Sequence, residues 1–351
     1  MLGLPSEIPK TPKPFVEKAP APLDTALKEF SRDPEHSEFG SANAAEQFQA
    51  ARLLMAHKEF LPAEKLLRSV LTQSPYSSAA IRAMAECARA LGKSDERLHV
   101  LKSLVRIDDH PEHLLQLADA LYDRGEDQEA LRLYLTALRS MESDSPLMFD
   151  IYKSLGNIFV RCHDFESAEE NYNKAYTINP DSATLLVNFG TLEIQRNNWN
   201  EAVQRFRDAI DVDQDFDRAW VGLAIAHRQF GDIELSWANL AKALDLNPEN
   251  TTALQLALSW VVKDQNWTVV REWLRKYLER RSDDAAISLA LAQLSFLQGW
   301  WVDARVELTR ALSLDPEIAG GIELMRLIRQ EQEKESHGRE QTSGAVDLTK
   351  R

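Results

Sequence analysis

The chain has 351 residues, 55 of them acidic against 41 basic, for a net charge of -14, so most of its surface repels phosphate backbones and anionic lipid. Nucleic acid is thereby excluded as the main partner. Direct membrane insertion is excluded too, because no apolar run approaches the ~18 residues of a membrane span.

Residues 1–42 contain Pro5, Pro9, Pro12, Pro14, Pro20 and Pro22 and no signal-peptide core, which predicts a Pro-rich, mostly disordered arm and a cytoplasmic protein. Within the arm, Leu23 to Phe30 have the composition of a short helix, and Pro9 and Pro12 have the spacing of a polyproline-II ligand. The next residues begin a pattern that recurs every 34 positions or so. The first copy, near 44, has Ala51, Leu54, Ala63, Leu67 and Pro75; the second, near 78, has Met84, Ala85, Leu101 and Leu104. The third, near 111, has Leu117, Ala118, Leu121, Ala130, Tyr134 and Ala137, and a slip of register follows at Met141 to Asp144. A fourth copy starts near 149 with Tyr152, Leu155, Gly156, Phe159, Ala168, Tyr172, Ala175 and Pro180. The fifth, near 183, repeats it as Leu186, Phe189, Gly190, Ala202, Phe206 and Ala209. The sixth, near 217, has Trp220, Leu223, Ala224, Leu240, Ala243 and Pro248. The seventh, near 251, keeps Leu254 and Leu274; the eighth, near 285, has Leu291, Ala292, Ala304, Leu308, Ala311 and Pro316.

Apolar residues at spacings of three and four mark two amphipathic helices per copy. Small residues fall where paired helices cross closely, and the prolines end one copy before the next begins. Two copies depart from this. Near 78, Arg97 takes a small position and Leu104 another; near 251, Leu258, Val270 and Tyr277 replace small residues, so those helices are expected further apart or differently crossed. After Pro316, residues 318–335 read as a capping helix with Ile322, Met325, Leu327 and Ile328 apolar, and 336–351 as a disordered polar tail. Cys87 and Cys162 read as reduced, packed thiols.

This pattern resembles the tetratricopeptide repeat (TPR) family over residues 44 to 318. The resemblance implies an all-α fold, a right-handed TPR superhelix (α-solenoid) of about eight helix-turn-helix repeats over 43–317, that binds a protein or peptide and is not an enzyme. It also implies that repeat positions 2, 5, 6, 9, 12 and 13 line a concave groove. Applied to the fourth to sixth copies, it assigns Lys153, Asn157, Arg161, Asn188, Thr191, Gln195, Arg218, Arg228 and Gln229 to a peptide-binding strip of cations and amides without acidic residues. Lys153, Asn157 and Asn188 match the carboxylate clamp of chaperone-binding TPR domains and Arg218 replaces a lysine, but Gly222 stands where the clamp has arginine. A ligand with a carboxylate or acidic segment is the expectation, with amides bonding its backbone.

Trp260, Trp267, Trp273 and Trp300, with Trp301, mark a possible second contact surface. They leave open a structural subunit working through convex or terminal surfaces, and a regulatory subunit acting in trans on an enzyme. The histidines are scattered, and Gly92-Lys93-Ser94 lacks the upstream glycine and strand of a phosphate loop. No catalytic residue, metal site or cofactor is expected.

Overall fold

The computed structural model describes residues 39, 41–141 and 145–346, with side chains to residue 334. The expectations for the Pro-rich arm before residue 39 lie outside the described residues. Seventeen α-helices and no strands are found among the described residues. Sixteen of them alternate as first and second helices of eight pairs. The first helices are α1 (Ala42–Ala56), α3 (Ser78–Ala90), α5 (Pro111–Asp123), α7 (Leu147–Arg161), α9 (Ala183–Gln195), α11 (Asp217–Gln229), α13 (Thr251–Asp264) and α15 (Ala285–Leu297). Their partners are α2 (Phe60–Gln73), α4 (Ser94–Ile107), α6 (Asp127–Ser140), α8 (Phe165–Ile178), α10 (Trp199–Val212), α12 (Ile233–Leu246), α14 (Trp267–Arg280) and α16 (Trp301–Leu314), and α17 (Gly321–Val346) follows. The chain divides into two compact units, residues 1–158 and 159–351, with the division inside α7.

Local chemistry starts and stops these helices. Ser41, Ser77, Ser182, Asn250 and Asp284 cap α1, α3, α9, α13 and α15 by accepting from a backbone N–H three residues on, satisfying a donor that the first turn leaves orphaned. Each turn between paired helices holds one residue with φ between 58° and 80°: Lys58, Gly92, Gly125, His163, Asn197, Gly231, Gln265 and Gly299. All eight occupy repeat position 15, where the left-handed conformation reverses the chain. Only half are glycine.

The second helices carry small residues that are out of contact with solvent. Ala63, Ala130, Ala168, Ala202 and Ala304 are fully buried, as are the larger Leu67, Tyr134, Phe206 and Leu308 one turn on. The misfit Arg97 turns aside to an ion pair with Asp123 at 2.8 Å. In the seventh repeat the bulk is transposed: Ala253 and Ala257 lie on α13, while Val270, Trp273 and Tyr277 are buried on α14. These two helices accordingly approach less closely than the other pairs of the second unit.

Three expectations need correction. Cys87 is buried, with its thiol pushed up to about 11 by desolvation, but Cys162, just past the end of α7, is exposed. In α17 the packed face is Leu324, Met325 and Ile328, whereas Ile322 is 74% exposed. Its backbone stays helical to Val346, past the expected end at 335, as the run of Glu, Gln, Lys and Arg residues favours.

Candidate protein-binding site

In the first unit, the first helices of three successive repeats leave a groove of about 800 Å³ between them. Phe48, Arg52 and Met55 come from α1; Arg82, Ala83, Glu86 and Arg89 from α3; and Glu112, Gln116 and Asp119 from α5. The spacings of three and four put these residues on one face of each helix. Arg82 sits near Glu112, Nη1 to Oε1 at 3.9 Å, too far for a hydrogen bond, and its Nε is buried without a partner. Asp119 accepts a hydrogen bond from the Tyr134 hydroxyl at 2.6 Å. Burial, the larger effect, still raises its carboxyl above the usual range, because desolvation disfavours the charged form.

The strip expected on the fourth to sixth repeats divides between the units. Lys153 and Asn157 belong to the first, and Arg161, Asn188, Thr191, Gln195, Arg218, Arg228 and Gln229 to the second. Its expected freedom from acidic residues is corrected by two contacts. Lys153 Nζ is bound to Asp150 Oδ1 at 2.6 Å, beside the Phe149 ring. Arg228 forms a two-pronged pair with Asp264, one arm at 3.2 Å, and lies over the Trp260 ring at 4.8 Å. Asp150 stands at inner position 2 of its own repeat; Asp264 reaches back from the end of the next first helix. Asn157, Arg161 and Asn188 are engaged within the chain. Thr191, Gln195, Arg218 and Gln229 remain exposed.

Gly222 has a physical reason. A Cβ there would lie 2.4 Å from Cε1 of Phe206, and one at Gly190 would lie 2.5 Å from the same atom. The ring is clasped between α9 and α11, so a side chain at 222 is sterically barred and an arginine cannot complete the clamp.

Of the tryptophans read as a contact surface, Trp273 is buried and Trp260, Trp267, Trp300 and Trp301 are half-buried. Trp273 is buried and stacks on Trp237 at 6.0 Å, Trp260 meets Trp237 edge-on, and Trp267 packs on the same cluster. Trp300 is half-buried beneath the Arg271 guanidinium at 4.2 Å, and Trp301 packs on Phe296.

Residues 109–181 and 163–224 match two family models, each described as tetratricopeptide repeat. Residues 109–224 are thus tetratricopeptide repeats. The chain is similar to the human protein O-mannosyl-transferase TMTC3, 24% identical over 199 residues, which covers 54% of this chain and 21% of that protein. It is also similar to the peroxisomal targeting signal receptor of Saccharomyces cerevisiae, 23% identical over 135 residues, or 38% of this chain and 22% of the receptor. The chain thus spans less than a quarter of either relative. A solved TPR protein from Parabacteroides merdae shares the fold at a TM-score of 0.53 and 17% identity, over 82% of this chain and all of that one.

The groove on the first three repeats was missed because the inner-position rule was applied only to the fourth to sixth. Applied to the copies starting at 44, 78 and 111, the same positions select Phe48, Arg52, Met55, Arg82, Glu86, Arg89, Glu112, Gln116 and Asp119. Among the described residues no cluster of metal-ligating side chains occurs, and no helix is long and apolar enough to cross a membrane.

Proposed function

We propose that the chain is a non-catalytic cytoplasmic adaptor that holds a segment of a partner protein against its first helices, chiefly in the groove of α1, α3 and α5. The observation that carries this reading is the groove itself, whose volume is in the range of sites that enclose ligands. Its lining includes both donors and acceptors, among them Arg82, Gln116 and Glu112, as recognition of a peptide main chain requires. The likeness to a protein named a targeting signal receptor fits the same reading. A photo-cross-linking residue at Ala83, on the groove lining, tests it in native extract, with the same residue at exposed Thr136 on α6 as control. One discrete partner segment should attach from position 83 and not from 136, and should vanish in Arg82→Glu. Equal attachment from both positions would sink the proposal.

The exposed Thr191, Gln195 and Arg218 are proposed as an accessory surface for the same kind of ligand. A second reading, assembly subunit, is favoured by apolar residues where first helices end: Phe230, Val262 and Leu297 are 50%, 62% and 60% exposed. Light scattering at micromolar concentration tests self-assembly; a monomeric mass would remove that form of it.

A further inference from the structure

We propose that the first helices of the fifth to eighth repeats hold an extended, uncharged segment of a partner through its main-chain amides. This rests on the reading that first helices hold partner segments, and goes beyond it by giving the second unit a ligand chemistry of its own.

The two units differ in charge at the same inner positions. Positions 5, 9 and 13 lie four apart and so share one face of each first helix. There the first three repeats carry Arg52, Arg82, Glu86, Asp119 and Asp123, whereas in the fifth to eighth Lys263 is the one charged residue. The same positions hold Gln195 on α9, Gln229 on α11, Gln255 on α13 and Gln293 on α15. All four are exposed, and none has a hydrogen-bond partner among the described residues. In a chain of net charge -14, no inner position of these repeats holds a carboxylate. Asp264, which reaches the face from position 14, is closed on Arg228. The remaining cations do not make an anion site. Arg218 stands in the first turn of α11 and Lys263 in the last turn of α13. These helices lie parallel, joined at their starts by Asp217 with Asn250 and at their ends by Arg228 with Asp264. The two cations therefore sit at opposite ends of the face and cannot share one carboxylate.

A glutamine side chain both donates and accepts, the chemistry of the peptide group itself. An extended segment offers its main-chain N–H and C=O groups, whereas a helix has already paired them. The four amides therefore select an extended main chain. Its apolar side chains find Val262 and Leu297, 62% and 60% exposed where α13 and α15 end. A charged side chain between those ends would lose hydration without gaining an ion pair.

Selection of displayed heptapeptides on the full-length chain in about 1 M NaCl, where charges are screened beyond about 3 Å, tests this. Recovered peptides should be poor in charged residues, and synthetic copies should bind within about twofold as tightly at about 0.1 M salt. Gln255→Glu combined with Gln293→Glu keeps the shape of both side chains and removes their donors. It should weaken binding at least about tenfold, with thermal unfolding near wild type, while Arg82→Glu leaves binding unchanged. Methylating the main-chain nitrogens of the peptide should weaken binding as well. Peptides that weaken in Arg82→Glu and not in the glutamine variant would place binding in the first-unit groove, overturning the second-unit site and leaving the adaptor reading standing. Peptides that respond to the glutamine variant but are acidic, bind as helices by circular dichroism or tolerate methylation would overturn the uncharged, extended occupant. No recovered peptide, or peptides indifferent to both variants, would overturn the second-unit site itself.

Discussion

Replacing Gly222 by alanine sets two opposed effects against each other, and the structure decides which wins. Gly222 lies inside α11, where alanine favours helix by about 1 kcal/mol over glycine. The new Cβ, however, would stand 2.4 Å from Cε1 and 2.5 Å from Cζ of Phe206, against a comfortable carbon-carbon separation of ~3.5–4.0 Å. The ring must retreat by about 1 Å, and it has nowhere to go. It is 1% exposed, packed among Ala202, Val203, Leu223 and Ala226, and Gly190 bars the other side. Overpacking typically costs about 1–3 kcal/mol, and with both escape directions closed the upper end applies, for a net loss of about 2 kcal/mol after the helix gain. Urea denaturation of Gly222→Ala followed by circular dichroism measures it. Phe206→Leu destabilises on its own, but the double variant should cost less than the sum of the singles by at least ~0.5 kcal/mol, the mark of coupled neighbours. A Gly222→Ala chain as stable as wild type or more so would show that helix propensity outweighs the clash and refute the reasoning.

Gln265 closes the seventh turn at φ 61°, and relieving a side chain of the left-handed conformation should make Gln265→Gly more stable by about 1 kcal/mol; a lower melting temperature would contradict this. Arg228→Ala leaves the Asp264 carboxylate, 9% exposed, with the Trp237 indole at 2.8 Å as its remaining side-chain donor. A loss of about 3 kcal/mol is expected, partly recovered in Arg228→Ala with Asp264→Asn and read from tryptophan fluorescence during unfolding. In the first unit Lys93 and Arg68 hold the Glu64 carboxyl below its ordinary 4.5. A depressed carboxyl adds stability above the unfolded value and loses it as pH falls through the folded one. Glu64→Gln should therefore flatten the loss of stability below pH ~4.5, measured by acid titration of helicity; an unchanged acid limb would count against that ion pair.

The helical pairs were legible because burial repeats with them: small residues at the crossing and a bulky one a turn later are steric demands that most copies meet alike, and proline marks the boundary at Pro75, Pro180, Pro248 and Pro316. Arg97, Val270 and Tyr277 were legible as misfits for the same reason, though not how each is resolved, since Arg97 finds Asp123 in another helix and the seventh repeat moves its bulk to α14. The turns were less readable. Glycine at position 15 is a sequence signal in four repeats, whereas Lys58, His163, Asn197 and Gln265 adopt the same conformation without one. The inner face was legible as a set of positions but not as a set of free groups. Whether Lys153 or Arg228 is available depends on Asp150 one turn away and on Asp264 in the next repeat, and a pattern read copy by copy does not contain that pairing. Gly222 looked like a missing arginine and is a space that Phe206 requires.

The central claim, that the first three repeats grip a partner segment, is tested most directly by titration calorimetry with the segment cross-linked at position 83, made as a synthetic peptide. Against the full-length chain, Arg82→Glu should weaken binding at least about tenfold, or 1.4 kcal/mol, while Thr191→Asp on the exposed face of α9 should leave it within about twofold. Wild-type affinity in Arg82→Glu, with binding lost instead in Thr191→Asp, would place the site in the second unit and contradict the account.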